Sequence, residues 1–247
     1  MKKILIIGNS YGVDAHRYVY GIARAAGEAV KIVNLNIGGC SLYRHYRNML
    51  SGEAAYNYYI NGMDSGLKVS LSQALLSDEW NVVVMQQCSP LSGRLSSYSP
   101  YIEELSAYVK KYVPEAKQYM HMTWSFAEGC PRFALTDFTC REEMIPATRQ
   151  AYLEAAETIR ADGIIPSMDA MCKLYDVIGE ETYRDGYHCN MGITRYMLGC
   201  LWFMVFFGRD VEGNTFRDFD VAVSEEQVLL AQKLAREAVL ENGYSLQ

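Results

Sequence analysis

Apolar positions along this chain fall into two rhythms. Short unbroken runs read as strands: Ile4 to Ile7, Val30 to Leu35, Trp80 to Gln86, Ala116 to Met122 and Ile164 to Pro166. The first consists of Ile and Leu, as in a strand covered on both faces. Between the runs lie stretches with a helical period: the segment after Gly12 with Val13, Tyr20, Ile22, Ala23 and Ala26, then Pro100 to Tyr112, Arg141 to Ala161, Met168 to Ile178, Met191 to Phe207 and Ser224 to Asn242. The last opens on Ser224, a good N-cap, and stops before Gly243. Gly52 to Gly66 is rich in Tyr and Asn with weak periodicity. It reads as a looped insertion with Tyr56, Tyr58 and Tyr59 toward solvent, and helical character returns from Leu67 to Leu76. Ser125 to Thr139, holding Gly129, Pro131 and several aromatics, is long for a connection, and such loops serve as lids or binding walls.

Strands alternating with helices predict an α/β fold: one domain over 1–247, three layers α/β/α, with a flavodoxin-like parallel sheet of about five strands. Right-handed crossovers then gather the loops after the strands on one sheet edge, where open α/β sheets bind ligands. Half of the residues are hydrophobic, enough for a sizeable core. The net charge of −6, without a basic run, speaks against nucleic acid or an anionic membrane as partner. The longest apolar run, Tyr196 to Phe207, is too short to cross a bilayer and reads as a buried helix. The chain enters a strand by residue 4 without a charged-then-apolar leader, which points to the cytoplasm. Seven cysteines without zinc-like spacing read as reduced core thiols, with a Cys130–Cys140 bridge left open. No metal or cofactor is called for, since a cluster of Cys40, Cys88, Cys189 and His188 matches no zinc pattern.

The chemistry concentrates at strand ends. Gly8 stops the first run, leaving Asn9 and Ser10 on a strand-to-helix turn that exposes a hydroxyl beside free backbone N–H groups. The plainer reading makes both residues helix caps. The second strand ends in Gly38-Gly39, the third in Gln86-Gln87, and the fourth leads through His121 to Trp124. A serine nucleophile needs a base, and four histidines are available. His16 points away from Ser10 along the helix, and His45 sits between Arg44 and Arg47 on the surface. His121 ends a strand on the ligand side and stays a rival. His188 has Asp185 three residues earlier, a carboxylate able to orient the ring and stabilise its cation.

Ile7-Gly8-Asn9-Ser10-Tyr11 resembles the first block of the SGNH (GDSL-like) hydrolases, and Asp185-Gly186-Tyr187-His188 resembles their last. The resemblance implies a serine esterase that cleaves a small acyl ester, such as an acetyl ester on a carbohydrate. Ser10, His188 and Asp185 would form the triad. Ser10, Gly39 (or its neighbour Gly38) and Gln87 would form the oxyanion hole. Asn9, Gln86 and Trp124 would contact substrate. Two positions depart from the family: Asn9 stands for Asp, and the third block has glutamines where Asn is usual, which marks a divergent branch. The partner implied is a small-molecule ester. Two readings compete with the esterase: a flavodoxin-like nucleotide-binding module, which lacks any GxGxxG or Walker motif here, and a catalytically silent carbohydrate-binding relative.

Overall fold

A computed structural model describes all 247 residues. The five predicted strands form as β1 (Lys2–Gly8), β2 (Val30–Asn36), β5 (Val82–Met85), β6 (Lys117–His121) and β7 (Gly163–Ile165), all parallel. The sheet has seven strands rather than about five. The other two, β3 (Tyr56–Ile60) and β4 (Met63–Val69), form an antiparallel hairpin that extends the sheet beyond β2, in the order β4-β3-β2-β1-β5-β6-β7.

That hairpin corrects the looped reading of 52–66. Asn61 and Gly62 both take positive φ, 51° and 88°, the conformation of a tight two-residue hairpin turn. The Asn-Gly pair was the signal, and the polar composition of β4 masked it. Being an edge strand, β4 has one neighbour and stays largely exposed, so no alternation marks it. Tyr56 is fully buried and Tyr58 and Tyr59 are half-buried, so none of the three faces solvent freely. The helix expected from Leu67 is confined to α4 (Leu71–Leu76).

Successive β1 residues feed opposite cores. Ile4 and Ile6 join one cluster of 38 buried residues, while Leu5 and Ile7 join another of 27. The first core holds α8 (Ile193–Phe207), which packs against α1 (Ser10–His16), α2 (Val19–Ala25), α7 (Ser167–Ile178) and α9 (Glu225–Glu241). Being enclosed on all sides explains why α8 is apolar all round. No helix is long and apolar enough to cross a membrane. The second core lies under α3 (Leu42–Ser51), α5 (Tyr101–Tyr112) and α6 (Arg141–Ile159). Beyond β1 the chain runs first to β2 on one side and later to β5 on the other, so the strand order reverses at the end of β1. Ligands of open α/β sheets bind at such a reversal.

Candidate active site

At that reversal Asn9 caps α1: its backbone is extended and its Oδ1 accepts the Tyr11 N–H at 3.1 Å. The capping and the exposed-serine readings therefore hold together, because Asn9 takes the cap and Ser10 becomes the first helical residue. The Asn9 amide also donates to the Cys40 carbonyl at 3.1 Å, fastening this turn to the Gly38-Gly39 loop. Gly39 is left-handed (φ 62°), and a Cβ there would meet nothing within 4 Å, so its backbone borders open space.

The late loop brings His188 to the same place. His188 Nε2 lies 2.9 Å from Ser10 Oγ, and Nδ1 lies 2.7 Å from Asp185 Oδ2. A carboxylate can only accept, so Nδ1 carries the proton and Nε2 is free to accept from the Ser10 hydroxyl. Asp185 Oδ1 accepts two backbone N–H groups, from Tyr187 at 3.2 Å and His188 at 2.7 Å. Burial pushes the Asp185 carboxyl upward, but the hydrogen bonds from the His188 ring and the loop backbone outweigh it and hold the group below the usual carboxylate range.

Several anchors keep this loop against α1. Gly186 adopts φ 81°, a left-handed turn, and its carbonyl accepts the Ala127 N–H at 2.7 Å. Trp124 donates to the Tyr187 carbonyl at 2.8 Å. Arg184 grips both oxygens of the fully buried Asp14 at 3.0 Å, and Arg195 binds the same carboxylate at 2.7 Å. Asp14 belongs to the serine's helix and Arg184 to the histidine's loop, so this ion cluster ties the two ends of the chain together. Sequence spacing does not expose it, since the partners are 170 and 181 residues apart.

The other histidines are core residues. His16 hydrogen-bonds the Gly12 carbonyl inside α1. His45 is fully buried rather than on the surface: the hairpin's Tyr56 stacks on it and hydrogen-bonds Nδ1 at 3.0 Å. His121 hydrogen-bonds Gln86 Oε1 at 2.8 Å and Ser167 Oγ at 3.0 Å. Burial above all pushes these imidazoles down, His16 to about 4 and His45 and His121 to about 3. His121 is enclosed in the core with Gln86 and Ser167, outside the lining of the cleft at Ser10.

The glutamine pair is fully buried and outside the cleft lining, and its amides bond protein groups rather than standing free as the oxyanion donor (Gln87) or substrate contact (Gln86) that the resemblance implied. Gln87 spends both amide hydrogens on Ser97, bonding its carbonyl at 3.1 Å and its hydroxyl at 3.0 Å. Its Oε1 accepts the Leu42 N–H that starts α3 and the Cys88 N–H, each at 2.9 Å. Gln86 donates to Asn9 Oδ1 at 2.8 Å. One glutamine therefore sets the serine turn and the other sets the start of α3. Trp124 likewise backs the cleft, only 1% exposed and stacked on Tyr11 at 4.2 Å. Burial favours the protonated thiol at the cysteines near the site: it pushes Cys40 up to about 12 and Cys88 up to about 11, and holds Cys189 well above the usual thiol range. All seven cysteines are free, Cys130 and Cys140 included.

The cleft over Ser10 has a volume of about 440 Å³, and Gly39, Ser89, Arg132, Tyr187 and His188 are among the residues around it. A larger hollow of about 1060 Å³ opens at the other end of the strands, beside Lys2, Asn81 and Lys117. It holds no paired nucleophile and base, so the smaller cleft is the candidate site. Sequence reasoning missed Ser89 and Arg132. The signal for Arg132 was its place in the long 125–139 connection.

The overall fold is one seen in solved structures of SGNH and GDSL-like hydrolases. This fold is shared, at TM-score 0.55, with a carbohydrate esterase family 3 structure from Talaromyces cellulolyticus, 11% identical over 84% of this chain and 97% of that one. A candidate SGNH hydrolase from Slackia heliotrinireducens is 18% identical over 98% of both chains, at TM-score 0.56. Within this fold the chain belongs to the DUF4886 family, a domain of unknown function, whose family model matches residues 3–238. A DUF4886 family protein from Bacteroides uniformis ATCC 8492 is 32% identical, with TM-score 0.88, covering 97% of this chain and 95% of that one. A search of curated proteins finds no match.

Proposed function

We propose that this chain is a serine esterase acting on a small acyl ester, such as an acetyl group carried by a carbohydrate. The reading rests on the unbroken line from Asp185 through His188 to Ser10, with contacts of 2.7 and 2.9 Å beside an open cleft. Ser10 Oγ attacks the ester carbonyl while His188 Nε2 takes its proton, and Asp185 stabilises the resulting imidazolium. The backbone N–H groups of Ser10 and Gly39 hold the developing oxyanion. Ser89 takes the side-chain donor's place, being the polar residue of the loop after β5 that borders the cleft. His188 then protonates the leaving alcohol, and water attacks the acyl-enzyme by the same route in reverse.

The lack of a cleft-facing amide from the third block favours the second reading, a silent carbohydrate-binding relative. Hydrolysis of an aryl acetate decides between them. The esterase reading expects turnover that disappears in Ser10→Ala, and no turnover above the uncatalysed rate would support the silent module.

A further inference from the structure

Arg132 sits in the wall of the cleft with part of its hydrogen-bonding capacity unused. Its guanidinium lies over the Tyr187 ring, 3.7 Å from the centroid, and Nη2 donates to the Tyr187 hydroxyl at 3.0 Å. These contacts fix the plane of the group. A guanidinium carries five N–H donors, and none of the others finds an acceptor in the protein. No carboxylate lies within 4 Å of it. Elsewhere Arg17, Arg94, Arg149, Arg184, Arg195 and Arg236 each pair with an acid, although most of these pairs reach solvent. Arg132 is half-buried and unpaired beside the nucleophile.

Its surroundings sharpen the contrast. The cleft lining holds no carboxylate, and Asp185, behind His188, is taken up by the His188 ring and two backbone amides. The chain as a whole is acidic, at −6, so this cation is held locally against the overall balance. The cleft, of about 440 Å³, is lined by few hydrophobic side chains, and Arg132 is the one permanently charged group in its lining. A rigid planar guanidinium with free N–H groups matches the two oxygens of a carboxylate or a phosphate.

Resting on the esterase reading above, we infer that Arg132 is a specificity residue and that the substrate is an ester bearing an anionic group close to the scissile bond. The anion can belong to the acyl part or to the alcohol part, and both place the same charge at the guanidinium.

The test compares neutral and anionic probes on the intact protein. 4-Nitrophenyl acetate is set against mono-4-nitrophenyl succinate, which carries its carboxylate on the acyl side. Methyl 4-acetoxybenzoate is set against 4-acetoxybenzoate, which carries it on the alcohol side. The expected result is a kcat/KM at least about tenfold higher for one anionic ester than for its neutral partner, expressed mainly in KM. Arg132→Gln should reduce that ratio by about tenfold to a hundredfold, and Arg132→Lys should restore part of it. Two results overturn the inference alone: turnover with no anionic preference, or an Arg132→Gln variant that loses rate equally on both members of a pair, which would mean that Arg132 acts only by placing Tyr187 and His188. No turnover of any of the four esters overturns the esterase reading itself, and this inference with it.

Discussion

The molecule holds two serine–histidine pairs of nearly equal geometry. Ser10 Oγ lies 2.9 Å from His188 Nε2, and Ser167 Oγ lies 3.0 Å from His121 Nε2. In both, the second ring nitrogen bonds an oxygen, that of Asp185 at 2.7 Å or that of Gln86 at 2.8 Å. The differences lie around the pairs. His188 is oriented by a charge and opens on a cleft, whereas His121 is oriented by a neutral amide and is fully buried with Ser167. Ser167 also accepts the Trp202 indole N–H at 3.3 Å, which fixes its hydroxyl within the core. A short contact between hydroxyl and imidazole therefore does not make a nucleophile. On the esterase reading, what sets Ser10 apart is a carboxylate behind the ring and room for a carbonyl in front.

Exchanging the roles of the pairs separates them most strongly. Ser10→Ala is expected to lower ester hydrolysis by about 10⁶, the scale of losing a serine nucleophile. Ser167→Ala should keep turnover within the wild-type range and register instead in the denaturant midpoint, as a loss of about 1–3 kcal/mol from the unpaired buried groups. The orienting group comes next. Asp185→Asn should reduce kcat by about 10⁴, because an amide no longer fixes the tautomer or stabilises the cation. Adding Gln86→Glu to Ser10→Ala supplies the buried pair with a carboxylate and should recover nothing, since no acyl group reaches Ser167. Smaller again is the loss in Ser89→Ala, about 10² in kcat from one missing oxyanion donor.

Stability against pH gives the mildest contrast. An unfolded histidine titrates near 6.5, whereas burial holds His121 and His45 down to about 3 and His16 to about 4. Unfolding therefore takes up protons as pH falls below about 6.5. The stability these groups contribute is complete above that value and is lost toward about 3 to 4, with a slope near 1.4 kcal/mol per pH unit for each. Denaturant unfolding at pH 7 and pH 5 measures this slope, and His121→Leu should flatten it by one proton's share. An unchanged slope would contradict the neutral, core role given to His121.

Much of this architecture was legible from residue patterns. The five parallel strands declare themselves because strands covered on both faces are continuously apolar, as Ile4 to Ile7 and Val82 to Met85 are. Ser10, Asp185 and His188 are linked through the resemblance of the first and last blocks to the SGNH hydrolases, since the Asp-x-x-His spacing alone is a weak signal. The hairpin stayed hidden because an exposed edge strand needs no apolar alternation. The partners of the glutamines were hidden for a different reason. Amides at a strand end can face either a cleft or the backbone of neighbouring loops, and only the fold shows that Asn9, Leu42 and Ser97 claim them. His45 was misplaced because its flanking arginines mark a solvent face, while Tyr56, eleven residues on, covers the ring from a strand not foreseen.

The most direct measurement is reaction with a fluorophosphonate probe followed by mapping of the adduct by mass spectrometry. The account predicts one adduct, on Ser10, absent in Ser10→Ala, strongly reduced in His188→Ala and retained in Ser167→Ala. An adduct on Ser167, or labelling that persists in His188→Ala but is lost in His121→Ala, would contradict it.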